Sequence, residues 1–276
     1  MKHSLFCVAA CGFIAACHGR SSPAPASTLK VLVYNVHAGK DAKGVDAIQR
    51  ISDLVKSSGA DIVFLQEVDK GTKRSGDVDQ PAEYARRTGL HVAFGRSLDY
   101  DGGEYGIAML SRWPITNDTA IHLPVTPAQE RSGGSHEPRV AMRATTVTPL
   151  GPVALFNTHI DASGTDVWRL QEIQTIIPLA KSEKNAPVLF GGDFNSTPES
   201  KVQNELRASG MRDSWATCGT GDGLSYPADR PVKRIDYLFL LGGVECTRAE
   251  VLVSEASDHR PVLFTVRAGN PPSTHM

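Results

Sequence analysis

The 276-residue chain has no dominant charge: 29 lysines and arginines stand against 30 aspartates and glutamates, with no block of like charge. That balance argues against tight, non-specific nucleic-acid binding, which draws on a basic face. Apolar runs of membrane-spanning length are missing, since the run at residues 5–16 stops well short of the roughly 20 residues that a spanning helix requires. No Cys/His spacing of a zinc site is present, and no internal repeat. Cysteine is scarce, five in all. The length suits one large domain or two small ones.

What the chain does have begins with a targeting segment. Lys2 and His3 precede the apolar run at 5–16, the layout of an export leader. Its end, Ile14-Ala15-Ala16-Cys17, resembles the lipobox of bacterial lipoprotein signal peptides. The resemblance implies a signal peptide over 1–16, cleavage before Cys17 and a lipid on that cysteine. Residues 17–28, rich in Ser, Pro and Ala, then read as a flexible tether. An ordinary secretory signal cut nearby is the alternative. Both readings place the protein outside the cytoplasm, either membrane-anchored on the periplasmic side or secreted. Cys7 and Cys11 leave with the leader. Cys218 and Cys246 remain, and in an oxidising compartment they either pair or stay as separate thiols.

The folded part, 29–268 with a short tail at 269–276, is centred on Gly191-Gly192-Asp193-Phe194-Asn195. Pro187-Val188-Leu189-Phe190 before it reads as a strand buried on both faces. The two glycines are expected to let the backbone turn sharply. Asp193 and Asn195, two apart, are expected to point the same way from the strand's end. Pro198 suits the first turn of a helix capped by Thr197 and running to 208. Upstream, a strand at 29–36, a helix at 45–55 stopped by Gly59 and a strand at 61–65 make an α/β opening. A short helix near 82–87 follows. Strands are expected near 90–95, 105–111, 118–123, 139–148 and 153–159, then a helix over 165–180. Strands at 234–240, 244–253 and 261–266 close the chain.

Polar residues recur where these apolar runs stop or begin: Asn35, Glu67, His159, Asp161, Asp193, Asn195, Asp236, Asp258 and His259. Carboxylates and amides are hard oxygen donors, the ligand type that Mg²⁺ or Mn²⁺ takes. A carboxylate and an amide held rigidly at a strand end suit work on a phosphate.

Seven stretches carry a resemblance. They are Tyr34-Asn35-Val36, Leu65-Gln66-Glu67-Val68, Tyr105-Gly106 through Leu110-Ser111-Arg112, Asn157-Thr158-His159, Gly192-Asp193-Phe194-Asn195, Arg234-Ile235-Asp236-Tyr237 and Ser257-Asp258-His259-Arg260-Pro261. In this order they resemble the endonuclease/exonuclease/phosphatase superfamily, the group of pancreatic deoxyribonuclease, apurinic endonucleases, sphingomyelinases and deadenylases. The resemblance spans residues 30–266. It implies an α/β (α+β) four-layer sandwich: two packed, largely antiparallel β-sheets flanked by helices.

It also implies a Mg²⁺- or Mn²⁺-dependent phosphodiesterase with assignable roles. Glu67 would be the principal metal ligand, with Asn35 beside it and Asp258 contributing. Asp193 and Asn195 would orient the attacking water and hold the phosphate, and His159 would donate to a phosphate oxygen. Asp258 and His259 would form an acid–histidine pair. Asp236 would orient a neighbouring histidine or help hold the metal. Glu104, Tyr105, Arg139 and Asp161 are candidate substrate contacts, Arg139 through a bidentate bond to phosphate.

Ile107 stands where many relatives carry Asn, and the segment Phe190 to Ser196 departs from the W-x-G-D-x-N-Y-R pattern of the inositol-phosphatase branch. Asp193 to Ser200 looks more like the deadenylase and general phosphodiesterase branches, yet an export signal conflicts with an intracellular RNA substrate. The expectation is therefore an exported, anchored monomer acting on lipid head groups or other small phosphodiesters. A secreted nuclease acting on DNA or RNA is the runner-up, and a catalytically inactive binding module the third reading.

Overall fold

Strict alternation along the first strand serves two cores at once. Val31 and Val33 point into one apolar cluster while Leu32 and Tyr34 point into another, and all four are fully buried. Such two-faced burial requires layers on both sides of a sheet. The computed structural model describes Met1, residues 27–132 and residues 134–269. The expected leader, Cys17, the tether up to residue 26 and the tail from residue 270 lie outside the described residues.

The elements run β1 (Thr28–Asn35), α1 (Ile48–Ser58), β2 (Ile62–Lys70), α2 (Gln80–Thr88), β3 (His91–Tyr100), β4 (Gly103–Ser111), β5 (Thr116–His122), β6 (Val140–Thr148), β7 (Gly151–His159), α3 (Val167–Ser182), β8 (Val188–Asp193), α4 (Lys201–Ala208), β9 (Arg212–Asp213), α5 (Ser214–Cys218), β10 (Asp236–Leu241), β11 (Val244–Val251) and β12 (Val262–Ala268). They build two six-stranded sheets, ordered β11-β12-β1-β2-β4-β3 and β5-β6-β7-β8-β10-β9. Among the described residues only β1–β2 and β7–β8 pair in parallel, and each is bridged by a helix, α1 or α3. The remaining pairings are antiparallel.

Three apolar clusters hold the layers. Phe64, Met109, Leu155 and Leu189 belong to the cluster between the sheets. Ile173 and Ile176 of α3, with Val202 and Leu206 of α4, cover Phe156, Phe190 and Phe239 on one outer face. Ile48, Ile51 and Val55 of α1, with Tyr84 of α2, cover Leu32 and Leu65 on the other. Each side chain of this kind contributes roughly 1.5–3 kcal/mol when fully buried. The result is the four-layer sandwich with helices outside.

Three local expectations change. Gly191 and Gly192 lie within β8 and do not form a turn. Their lack of a side chain permits close approach instead. A Cβ on Gly191 would come within 2.4 Å of the Phe64 ring from the facing sheet, and one on Gly192, at φ 154°, within 2.1 Å of the Thr158 carbonyl oxygen. Asn195 is not extended but left-handed, with φ 44°. Its own N–H donates to Asp193 Oδ1 at 2.9 Å, so the Asp193 side chain closes an Asx turn. Helix α4 begins at Lys201 and is capped by Ser200, whose Oγ accepts from Gln203 N–H. Thr197 to Ser200 forms a turn first, closed by the Ser200 N–H to Thr197 carbonyl bond at 3.0 Å.

Cys218 and Cys246 form a disulfide with a Cα–Cα separation of 5.7 Å. Cys218 ends α5, beside β9 at the edge of the second sheet, and Cys246 lies in β11 at the edge of the first. The bridge therefore ties the two sheets together at one side of the sandwich.

Candidate active site

Strand direction gathers the polar residues. β1, β2, β7 and β8 bring their carboxyl-terminal halves to the same end, and β10, antiparallel to β8, starts there. The register sets His159 opposite Asp193, and Asp193 opposite Asp236. Glu67 arrives by an irregularity. The pairing of β2 with β4 shifts between Leu65 and Val68, and Glu67 adopts φ 57°. A left-handed backbone costs a residue with a β-carbon on the order of 1–3 kcal/mol, and such bulges re-aim side chains at functional sites.

Asn35 joins the two sheets here. Its Nδ2 donates to Glu67 Oε1 at 3.1 Å and to Asp193 Oδ2 at 3.0 Å, while its Oδ1 accepts from His37 N–H. The amide thus separates two carboxylates that would otherwise repel. Beneath it, Gln66 Nε2 donates to Asn157 Oδ1 at 2.7 Å, and Asn157 Nδ2 donates to the carbonyls of Leu65 and Ala108. These buried amides fix β7 against β2 and β4.

His259 is paired with Asp236, not with its neighbour Asp258. The Nδ1 to Asp236 Oδ2 distance is 2.9 Å, and Ser225 Oγ donates to the same oxygen at 2.6 Å. Asp258 projects separately into the cleft. This corrects the expected acid–histidine pair, for β10 lies beside β8 and delivers Asp236 to the imidazole. The Tyr226 ring packs on His259 with centroids 4.7 Å apart.

The assembled groups line a cleft of about 500 Å³ that includes Glu67, His159, Asp193, Asn195, Asp258 and His259, with Arg139, Tyr226 and Lys233 at its sides. Asn35 and Asp236 sit just behind it, fully or almost fully buried. A larger cleft of about 820 Å³ lies beside the disulfide and contains none of these strand-end residues.

The four secondary candidates fare differently. Arg139 reaches the cleft but is 2% exposed; its Nη1 pairs with Glu137 Oε1 at 2.5 Å and lies 2.8 Å from His159 Nδ1. Nη1 is thus committed to these neighbours, while Nε is buried without a hydrogen-bond partner. Asp161 is fully buried, accepting from the N–H groups of His136 and Ser163, and organises the loops that frame His159. Glu104 pairs with Lys70 at 3.0 Å and Tyr105 is buried beneath Arg74; neither lines the cleft. Opposed to Lys70 and Asp69 in the β2–β4 register, they lie beyond the bulge that presents Glu67.

Sequence reasoning also missed contributors. Ser225 and Tyr226, Lys233 and Glu137 come from loops with no apolar pattern to mark them. Only tertiary contact assigns them to the site.

Burial dominates the electrostatics. It raises the Asp193 carboxyl, and the charge of Asp236 adds to the rise. Burial alone would lower His259, but the carboxylates of Asp236 and Asp193 outweigh it and raise the imidazole well above its usual range. His159 goes the other way: burial, then the positive Arg139 and His259, hold it neutral. Two histidines in one cleft therefore carry different charges.

The donor set fits a hard divalent cation. Glu67, Asp193, Asp236 and Asp258 crowd four carboxylates into one region, and Asp236 Oδ1 is buried without a hydrogen-bond partner. Asp193, Asp236 and His259 offer atoms within 4.8 Å of one another, but a protonated His259 is a donor, not a ligand. Glu67 and Asp258 would hold the ion, and Asn35, whose Oδ1 is turned to His37 N–H, would fix the Glu67 carboxylate through Nδ2 instead of ligating. When bound it would neutralise phosphate oxygens and stabilise a departing alkoxide.

A four-layer sandwich with carboxylates, amides and two histidines at one end of both sheets defines a class of phosphoester hydrolase. Residues 32–259 match the model of the Endonuclease/Exonuclease/phosphatase family, and the chain belongs to that family. It is 25% identical over 223 residues to the uncharacterized protein YbhP of Escherichia coli K12, covering 77% of this chain and 85% of YbhP. An endonuclease/exonuclease/phosphatase family protein from Bacteroides thetaiotaomicron superposes with a TM-score of 0.74 at 20% identity, over 90% of this chain and all of that one. The mannosyl-6-phosphatase Bt3783 of the same organism gives 0.71 at 21% identity, over 86% of this chain and 99% of its own.

Proposed function

We propose that this protein is an exported, Mg²⁺- or Mn²⁺-dependent phosphodiesterase acting on small phosphodiesters such as lipid head groups. The observation that carries the reading is the convergence of Glu67, Asn35, Asp193 and the Asp236–His259 pair in one cleft. In this reading His159 and the cationic His259 donate to phosphate oxygens. Asp193, within 3.6 Å of both imidazoles, takes the proton of the attacking water while Asn195 helps hold the phosphate.

Cleft charge supports a small substrate. Among the described residues lining it, the Arg139 and Arg169 side chains are buried, which leaves Lys233 exposed at the rim. A nucleic-acid strand draws its affinity from many phosphate contacts, and a single exposed lysine offers few. The disulfide is consistent with an oxidising compartment, and the lipobox-like Ile14-Ala15-Ala16-Cys17 with a lipid anchor on Cys17.

Purified residues 29–276 with Mg²⁺ or Mn²⁺ should hydrolyse bis-p-nitrophenyl phosphate and at least one of sphingomyelin and phosphatidylinositol, leaving plasmid DNA and RNA intact. Rapid nicking of plasmid would make the protein a nuclease, and turnover confined to sugar monophosphates would make it a phosphatase. For the anchor, labelled palmitate should mark the full chain and not its Cys17→Ser variant. Equal labelling of both would remove the anchor from Cys17.

A further inference from the structure

We infer that Arg139 is a positioning residue that fixes the tautomer of His159, so that Nε2–H is the edge presented to the substrate. The identity of the acceptor, a phosphate oxygen, rests on the phosphodiesterase reading. The tautomer itself does not.

Arg139 Nη1 lies 2.8 Å from His159 Nδ1. A guanidinium carries only donors and does not deprotonate in proteins. Nδ1 must therefore accept, and the one proton of a neutral imidazole sits on Nε2. Both side chains are buried, so the bond is made in a low dielectric where it is strong. Arg139 is itself fixed from behind. Glu137 pairs with it at 2.5 Å, and the Tyr105 hydroxyl bonds to Glu137 in turn.

The other edge of the ring tells the same story. His159 Nε2 is 3.1 Å from Asn195 Nδ2, which also donates to the Ile160 carbonyl at 2.9 Å. Turning that amide over would set its oxygen against the carbonyl oxygen, so a nitrogen must face His159. Two donors cannot flank both edges of a neutral imidazole and both be satisfied. The charged contact at 2.8 Å outweighs the neutral one at 3.1 Å, which makes the Asn195 contact donor against donor. Asp193 Oδ2, at 3.6 Å, is too far for a good bond. The Nε2–H is left for an acceptor that a ligand brings, and an anionic oxygen fits. His259 is set in the opposite sense, since Asp236 is an acceptor and draws a proton onto its Nδ1.

Long-range ¹H–¹⁵N correlation spectra of protein labelled in its histidine rings read the tautomer directly, with His159→Gln assigning the signal. Wild-type His159 should appear as Nε2–H. Arg139→Lys, still a pure donor, should keep that form and part of kcat. Arg139→Met should shift the ring toward Nδ1–H and lower kcat by ~10-fold or more with a smaller change in KM. An Nδ1–H or doubly protonated ring in the wild type at pH 7.5 overturns the proposal, whether or not a substrate is known. So does a folded Arg139→Met protein that retains Nε2–H. Should Arg139→Met fail to fold, the wild-type and Arg139→Lys spectra decide alone.

Discussion

His159 and His259 each bring Nε2 to 3.6 Å from one oxygen, Asp193 Oδ2. What differs is the group behind each ring: a guanidinium for His159 and a carboxylate for His259. The second arrangement yields the first prediction. His259→Ala and Asp236→Asn should each lower kcat by ~10²-fold or more, and the double variant should be little worse than His259→Ala, since the pair acts as a unit. Steady-state kinetics on a small phosphodiester measure this. Wild-type turnover in Asp236→Asn would detach that carboxylate from the mechanism.

Metal binding should divide along different residues. EDTA should abolish hydrolysis and Mg²⁺ or Mn²⁺ restore it. Calorimetry should show divalent-ion affinity weakened by ~10-fold or more in Glu67→Ala. Asp258→Asn should raise the metal concentration needed for half-maximal rate, because Asp258 is not the partner of His259. Hydrolysis that survives chelation would refute the metal reading.

The disulfide closes a segment with a sequence separation of 28 residues between sheet edges. In the chain-entropy model a loop of this size contributes about 3–4 kcal/mol. Reduction, or Cys218→Ser with Cys246→Ser, should lower Tm by roughly 6–16 °C, given ~2–4 °C per kcal/mol for a domain of this size. Unchanged melting on full reduction would show that the bridge does not stabilise the fold.

Glu172, fully buried in α3, gives a pH dependence. Burial lifts its carboxyl to about 8, against the opposing bond from Asp161 N–H to Oε2 at 2.8 Å. The folded state thus holds this proton more tightly than the unfolded chain does. Its contribution is full below pH ~4.5 and is lost as pH rises through about 8, a change on the order of 5 kcal/mol. Glu172→Gln keeps the acceptor but cannot ionise. Its Tm should therefore fall less between pH 5 and 9 and exceed the wild type at pH 9 by roughly 10 °C. Parallel Tm–pH curves for the two proteins would rule this out.

The site was partly legible before the fold was known. Asn35, Glu67, His159 and Asp193 each end an apolar run, and that pattern is local, so counting along the chain finds it. Partnerships were not legible. His259 bonds Asp236, 23 residues upstream, and Asn35 bonds Asp193, 158 residues away. Adjacency in sequence favoured Asp258 for His259, but the order of β7, β8 and β10 in the second sheet chose otherwise.

Which segments are strands buried on both faces, and which polar side chains stand at their ends, is written in the local residue pattern. Both follow from runs of apolar residues a few positions long. Tertiary structure alone decided that Gly191 and Gly192 serve close packing against Phe64 and Thr158 instead of a turn. It also decided that a bulge aims Glu67, that Arg139 serves His159, and that Cys218 meets Cys246. Each of these depends on register and on distances between segments remote in the chain, and such distances exist only once both sheets have formed and packed.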